Sequence, residues 1–576
     1  MKRIMMAAMA ALALLTCACG PKDGEYTFRI LTTNDVHGHY FDSLYMSDQT
    51  APSMMSVAWA VDSVRVADGA ENVILIDAGD CLHGDNAAYY YNYVDTKSEH
   101  VFARMLEYLK YDAWIPGNHD IEAGHPVYDR LVAGLDVPVL AANAVRADDR
   151  KPYFEEYVIL KRHGLKIAIV GFTNPNIKNA YAPELWEGMD FESLIPDFAQ
   201  KVVDRVRAEE DPDAVILAMH SGAGPGDGSV LEQQALDIFN SIKGVDFIVS
   251  AHDHRTNVMQ NENMALVNTG NYCAYLGSGT LTLKVEDGKV TGKTVSAELI
   301  PLDKDKVDKK MQAAFLSDYE AVKAYITRPV GVLKMDLVGS DALKGMSDYL
   351  NMLHTVCLKA SEAQISFAAP QSVNLFMAAG TRVYNDLFTL YSYENQLYKV
   401  RMTGKEIKDY LEYSYDGWIN TLGRKQDHVL KMRGFTNPRT GRQMWFFGGT
   451  AYNLDSAGGL VYEVDVTKPY GERLVIRSLA DGTAFDMSAE YEVAMNSYRA
   501  LGGAGFMKRA GIEDVDDRIA GIYPDIRTLL NDYIEDNSPV DHAMVSDPHV
   551  IGHWSFVPER KASKALDEDI ALLFNR

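Results

Sequence analysis

The sequence predicts a layered α/β domain followed by at least one more domain, and three observations carry that reading. The chain has 576 residues, too many for one hydrophobic core. Through the first half, short apolar runs that read as strands alternate with helical patterns, the signature of an α/β layered unit. Five of those runs stop abruptly, and within three residues each gives way to Asn, Asp or His. In open α/β sheets the ligand site lies outside the carboxyl ends of the strands, so the five ends are expected to converge.

Taken in order, the run 28–33 ends in Asn34-Asp35-Val36-His37-Gly38-His39. The run 73–76 ends in Asp77-Ala78-Gly79-Asp80. The run 112–115 halts at Pro116-Gly117, which does not continue a sheet comfortably, and then presents Asn118-His119-Asp120. Runs 213–219 and 247–250 lead to His220-Ser221-Gly222 and Ala251-His252-Asp253-His254. Helical patterns fill 53–66, 98–111 and 194–209. Any one of these histidines alone reads equally well as a structural or surface residue. Together, mixed His, Asp and Asn ligands suit divalent ions such as Zn²⁺, Mn²⁺ or Fe²⁺ and exclude a thiolate site. Two ions about 3.5–4 Å apart would share one carboxylate and clamp both a nucleophile and a phosphoryl oxygen.

Composition narrows the partners. With 47% hydrophobic and 24% charged residues the chain is ordinary globular material. A formal charge of −24 argues against nucleic-acid polymers, which need a basic surface. A small anion remains acceptable where bound cations reverse the local sign. Residues 1–19 read as a secretory signal, with Lys2 and Arg3 before an apolar run too short to span a bilayer. Cys17, after Leu14-Leu15-Thr16, and Cys19, after Ala18, are both candidates for a lipoprotein anchor; plain cleavage with soluble export is the other reading. The expected location is the periplasm or the outer cell surface. Beyond the signal only Cys81, Cys273 and Cys357 remain, which gives neither a disulfide framework nor a zinc knuckle.

The ordered segments N-D-x-H-G-H, D-A-G-D, G-N-H-D, H-S-G and A-H-D-H resemble the calcineurin-like metallophosphoesterase domain of bacterial 5′-nucleotidases, here expected over 26–300. The resemblance implies Asp35, His37, Asp80 and His254 on one divalent metal. It implies Asp80, Asn118, His220 and His252 on a second, with Asp80 bridging. His119 is implied as the imidazole that stabilises the phosphate or protonates the leaving oxygen. Glu122 takes the place of an orienting carboxylate that is usually Asp in those enzymes, and Asp120 is the alternative orienter.

Residues 301–344 read as a linker carrying a helix at 307–326, with Met311, Phe315, Tyr319, Val322 and Ile326 at helical spacing. Packing of that helix on the first domain is the other reading. Residues 345–558 resemble the C-terminal substrate-binding domain of the same enzymes, an α+β nucleotide-binding unit, with 559–576 as a tail. Within it Ser347 opens a helix, 365–370 is a strand, and Thr403 caps a helix after a strand. The resemblance implies that Tyr498, ahead of Gly502-Gly503, and Tyr452, ahead of Ser456-Ala457-Gly458, stack on the two faces of a nucleobase. Such stacking is worth roughly 1–3 kcal/mol per base and tolerates any base.

Two departures bear on the substrate. The Gly-Gly-x-Arg segment of 5′-nucleotidases is replaced by Ala368-Ala369-Pro370-Gln371, and Ala504 stands where they carry Asp. Ala368-Ala369-Pro370, His354-Thr355-Val356 and Asn496-Ser497-Tyr498-Arg499 look closer to the 2′,3′-cyclic-nucleotide 2′-phosphodiesterase/3′-nucleotidase branch, and the tyrosine pair points the same way. The expected protein is an exported two-metal phosphoesterase acting on nucleotides. A phosphoesterase for another small ester and a non-catalytic nucleotide-binding surface lipoprotein are the alternatives.

Overall fold

A computed structural model describes residues 20–574 except 48, 182, 394, 424–427, 437, 439 and 440. The expected signal peptide, with Cys17 and Cys19, lies outside the described residues. The chain divides into two compact units, one up to Lys323 and one from Ala324. Among the described residues no helix is long and apolar enough to cross a membrane.

The first unit is built on two sheets packed face to face. One has the order Lys289–Pro301, Tyr275–Glu286, Gly24–Thr33, Val73–Asp77, Ala113–Trp114. The other runs Thr256–Gln260, Ala265–Thr269, Phe247–Val249, Ala214–Met219, Leu165–Phe172, Tyr157–Arg162. Phe28, Ile30, Ile74 and Ile76 of the first meet Ile167, Ile169, Ile216 and Phe247 of the second in one apolar core. Strands buried on both faces read as continuous apolar runs, as these do. The outer face of the second sheet is covered by the Pro196–Glu210 helix through Val202, Val203 and Val206. Met54–Asp68, capped by Ser53, lies on the first sheet. The layered α/β prediction is therefore met.

Register places the strand ends level with one another. Thr33 pairs with Asp77 and Asp77 with Trp114 in parallel pairing, so three carboxyl ends lie side by side. In the second sheet Ala214–Met219 and Phe247–Val249 are also parallel. The 112–115 run shortens to Ala113–Trp114, yet Asp112 N and Ile115 N still donate to Leu75 O and Asp77 O, at 2.8 and 2.9 Å. The helix expected over 98–111 spans Val101–Leu109, because His100 caps it: its Nδ1 accepts from Phe102 N.

The helical pattern at 307–326 forms two pieces, Lys309–Ala314 and Leu316–Ile326, broken at Phe315. Met311, Phe315, Val322 and Ile326 are buried. Buried Asp318 accepts from Arg104 Nη1 and from Tyr91 Oη, both at 2.7 Å. Tyr319 stacks on Tyr45 with ring centres 5.3 Å apart. The first part of this segment thus packs on the first unit.

The second unit holds a mixed five-stranded sheet in the order Ser456–Gly458, Ile365–Ala368, Glu490–Asn496, Gln396–Thr403, Ile519–Asp525. Against it pack Asp348–Ser361, capped by Ser347, and Gly404–Trp418. The latter begins with the expected Thr403 cap, closed by Glu406 accepting from Thr403 N at 2.8 Å. The unit also holds a three-stranded sheet, Leu474–Leu479, Leu460–Asp465 and Gly552–Val557, and smaller two-stranded pairings. The 559–576 tail is a helix over Glu559–Phe574 whose buried Asp569 accepts from Leu430 N.

Candidate active site

The strand ends of the first unit do converge. Asp35, His37 and His254 offer ligand atoms within 4.8 Å of one another, and so do Asp80, His220 and His252. Five of these six, all but His220, hold left-handed backbone conformations, with φ of 49, 48, 58, 77 and 57° for Asp35, His37, Asp80, His252 and His254. Non-glycine residues rarely sit there, and such strain collects at functional sites. The loops also approach closely: a Cβ on Gly117 would lie 2.2 Å from Asp80 Oδ1, so only glycine fits.

Hydrogen bonds turn each side chain so that one atom is spent and another is left over. Asp35 Oδ2 accepts from Asn34 Nδ2 at 2.7 Å and His252 N at 3.0 Å, while its Oδ1 has no partner. His220 Nδ1 contacts Ala78 O at 2.7 Å, crossing from one sheet to the other. Its Nε2 lies 3.0 Å from Asp80 Oδ2 without a hydrogen bond. His37 Nδ1 contacts His83 O at 3.1 Å, turning Nε2 toward His254 Nε2 at 2.9 Å. Asn118 Nδ2 donates to Tyr181 Oη at 2.8 Å, which leaves its buried Oδ1 unpartnered. His252 Nδ1 is likewise buried and unpartnered, with Nε2 4.0 Å from Glu232 Oε1. Buried polar atoms left unpaired are costly. The oxygen and imidazole atoms orphaned here are the donor types a divalent cation takes, so the residues present fit such an ion. The imidazole-to-carbonyl contacts are those that orient metal-ligating histidines.

The electrostatics agree. Burial pushes the Asp35 carboxyl up to about 7, although His220 opposes it. Burial also opposes ionisation of Asp80, but the fields of His220, His119 and His37 hold it well below the usual carboxylate range. Burial depresses His37 far below its ordinary value and lowers His254, which favours the neutral imidazoles that bind metals. Asp80 acts on both sets, raising His37 and His254 against burial and drawing His220 up to about 9.

His119 stands beside this cluster. Its backbone N donates to Asp80 Oδ1 at 2.8 Å, and its Nδ1 lies 2.5 Å from Glu122 Oε2. Burial opposes the charged form, but Asp80 and then Glu122 outweigh it and raise His119 to about 10. Asp120, the alternative orienter, is otherwise engaged. Its two oxygens accept from Asp80 N, Cys81 N, Leu82 N and Gly117 N, at 2.7 to 2.9 Å. The carboxylate beside His119 is that of Glu122.

In the second unit Tyr452 and Tyr498 are partly exposed, at 37% and 43%. Buried Arg499 connects their segments: Nη2 donates to Tyr452 O at 2.6 Å and Nε to Asp455 Oδ2 at 2.6 Å. Its guanidinium carbon lies 5.3 Å from the Tyr498 ring centre. A Cβ on Gly503 would come within 2.6 Å of that ring, which explains the glycine beneath it. Tyr393, also exposed, meets Tyr452 edge-on at 5.7 Å.

Residues 28–256 match the family model for calcineurin-like phosphoesterase, and residues 329–510 match that for the 5′-nucleotidase C-terminal domain. The chain thus joins a calcineurin-like phosphoesterase domain to a 5′-nucleotidase C-terminal domain. Its relatives include a 2′,3′-cyclic-nucleotide 2′-phosphodiesterase/3′-nucleotidase of Haemophilus influenzae, 25% identical across 96% of this chain and 91% of that protein. A 5′-nucleotidase of Vibrio cholerae is 24% identical across 94% and 97%. A trifunctional nucleotide phosphoesterase protein of Bacillus subtilis is 25% identical, but this chain spans only 39% of it. Among solved structures, the 5′-nucleotidase precursor from Thermus thermophilus superposes with a TM-score of 0.57 at 20% identity, covering 93% of this chain and 100% of that one.

This phosphoesterase is a metal-dependent hydrolase of phosphoric esters, as its family is. The sequence reading missed three residues at its site. His83 stacks on His119, ring centres 4.4 Å apart and 17° from parallel, and groups with His119 and Glu122. Tyr181 holds Asn118, and Glu232 faces His252. None of the three follows an apolar strand directly, which was the signal in use.

Proposed function

We propose that the chain hydrolyses nucleotides to nucleoside and phosphate at two divalent cations, Zn²⁺, Mn²⁺ or similar. Asp35, His37, Asp80 and His254 would hold one, and Asp80, Asn118, His220 and His252 the other. The observation that carries this is the set of buried ligand atoms on Asp35, Asn118, His220 and His252 that make no hydrogen bond, all delivered by strand ends. Asp80, whose field reaches both histidine sets, would be the carboxylate that the two ions share. When bound, the cations supply Lewis acidity for water and for the phosphoryl oxygens. Glu122 accepts a hydrogen bond from the Nδ1–H of His119 and so favours the doubly protonated ring, leaving Nε2–H as the group that hands a proton to the departing ribose oxygen. Tyr452 and Tyr498 hold the base, which gives binding energy remote from phosphorus.

The relatives' names cover both 5′ and 2′,3′-cyclic or 3′ substrates. The absence of the Gly-Gly-x-Arg arginine at Ala368-Ala369-Pro370 favours the cyclic and 3′ branch. A panel of 5′-, 3′- and 2′,3′-cyclic nucleotides, run with metal analysis of the purified protein, tests both points. Strict 5′-monophosphate preference would sink the branch assignment, and a metal-free active protein would sink the site. Export with acylation at Cys17 or Cys19 completes the proposal; failure of both cysteines to take up labelled fatty acid in cells would overturn it.

A further inference from the structure

The second unit carries an apolar surface that the reaction does not use. Met432–Thr436 and Gln443–Phe447 form an isolated antiparallel ribbon with Arg433 opposite Phe446 and Phe435 opposite Met444. Paired residues of a ribbon share a face, and that face alternates along each strand. Arg433, Phe435, Met444 and Phe446 therefore stand on one side. Phe435 and Phe446 are each 51% exposed and Met444 is 40% exposed. The opposite side is anchored, with Met432 and Phe447 packed on the unit's core and Trp445 against His428 at 5.2 Å. The ribbon is thus held from beneath while its outer face keeps three large apolar side chains in water. A contiguous patch of that kind marks an interaction site rather than incidental exposure.

Charge identifies the occupant. From His428 to Phe447 the sequence holds Lys431, Arg433, Arg439 and Arg442 and no Asp or Glu. The whole chain has a formal charge of −24. Arg433 and Arg442 are exposed at the ribbon. Aromatic and thioether side chains beside Arg433, with Arg442 exposed just ahead of the second strand, have the composition that seats in the interface of an anionic bilayer. The apolar groups enter the acyl boundary while the cations meet lipid phosphates. We propose that this ribbon is a membrane-surface docking element for anionic phospholipid, acting independently of any acyl anchor.

The test is sedimentation with vesicles, using the unacylated chain from Gly20 onward, which keeps every described element. Vesicles of phosphatidylcholine alone are compared with vesicles containing phosphatidylglycerol. The expected result is at least about tenfold stronger partitioning to the anionic vesicles, weakened by salt. Arg442→Glu should reduce it by about fivefold or more, since one cation near such a surface contributes about that factor. Phe435→Ser with Phe446→Ser should reduce it further, while hydrolysis of p-nitrophenyl phosphate and the melting temperature stay as in the parent. Equal partitioning to neutral and anionic vesicles would overturn the proposal. So would concentration-dependent dimerisation abolished by the same substitutions, which would assign the face to a second copy. Binding lost with Arg442→Glu but unaffected by the two serines would mean a purely electrostatic polyanion surface and would also overturn it.

Discussion

The strand-end cluster of the first unit and the tyrosine surface of the second handle polar groups in opposite ways. Around Asp35 and Asp80 the backbone is forced into left-handed conformations and buried ligand atoms are left without partners. Around Tyr452 and Tyr498 the buried charge is satisfied: Arg499 meets Asp455, Asn453 and Tyr452 O, and the aromatic rings above it face solvent. Cation chemistry needs donors prearranged in a dry place, at a cost in the empty protein. Stacking needs only flat faces held still, so it can be built on a satisfied base. Turnover should therefore collapse when one ligand of the first region is lost, whereas loss of a ring from the second should weaken binding by degrees.

The largest effect is expected at Asp80. Asp80→Ala removes the carboxylate whose field reaches both histidine groups, and turnover should fall by at least about 10³-fold, the scale of several kcal/mol of Lewis-acid stabilisation. Metal analysis should show both ions weakened, whereas Asp35→Ala should empty chiefly one. An Asp80→Ala protein that keeps two equivalents of metal and a near-normal rate would break the contrast between the regions.

His119 tests whether the cluster and its neighbour are separable. His119→Asn should lower kcat by about 10²–10⁴-fold with metal content intact, the usual worth of a positioned acid. Glu122→Gln should act in the same direction and less. Loss of metal from the His119 variant would make it a ligand, and would move the group of His83, His119 and Glu122 into the metal cradle.

At the tyrosine surface, Tyr498→Ala should raise KM for nucleotides by about five- to 150-fold, the equivalent of roughly 1–3 kcal/mol of stacking. Hydrolysis of a small aryl phosphate, which has no base to stack, should scarcely change. Tyr452→Ala should do the same more weakly. If aryl phosphate suffers equally, the tyrosines act on the reaction centre and the division of labour is wrong.

How much of this was legible in the sequence follows the same division. The strand ends were readable because an apolar run halted by Pro116-Gly117, or by Asp77-Ala78-Gly79-Asp80, is a local pattern. The hairpin of Tyr275–Glu286 and Lys289–Pro301 was passed over although Asp287-Gly288 signals it, both residues having positive φ, 50 and 70°. The early start read for the Val101–Leu109 helix has a plain cause: His100 caps it, and imidazole is an uncommon cap. His83 and Tyr181 reach the site from loops, where spacing says nothing about which way a side chain turns. Arg499 stands next to Tyr498 in Asn496-Ser497-Tyr498-Arg499, but its burial and its hold on the Tyr452 loop depend on contacts 46 and 47 residues distant.

The smallest expected effect asks whether the two regions, built so differently, respond alike to acid. Each unit buries one neutral imidazole away from the cluster. His354, in the second, lies between Ser366 Oγ at 2.8 Å and Ser456 Oγ at 3.0 Å, and burial lowers it to about 3. His100, in the first, is lowered to about 3 by burial and by Arg130. In the unfolded chain a histidine titrates near 6.5. Above that value neither state holds the proton, so nothing is lost. Between about 6.5 and about 3 only the unfolded state is protonated, so stability falls as pH falls through that window. At about pH 5 each histidine should cost about 2 kcal/mol. Urea titrations at about pH 7.5 and about pH 5, read by proteolysis mapped to each unit, measure the two losses separately. His354→Gln should flatten the pH slope of the second unit and leave that of the first in place. An unchanged slope in the second unit would mean that His354 is protonated in the folded protein, with Ser366 and Ser456 accepting from both ring nitrogens.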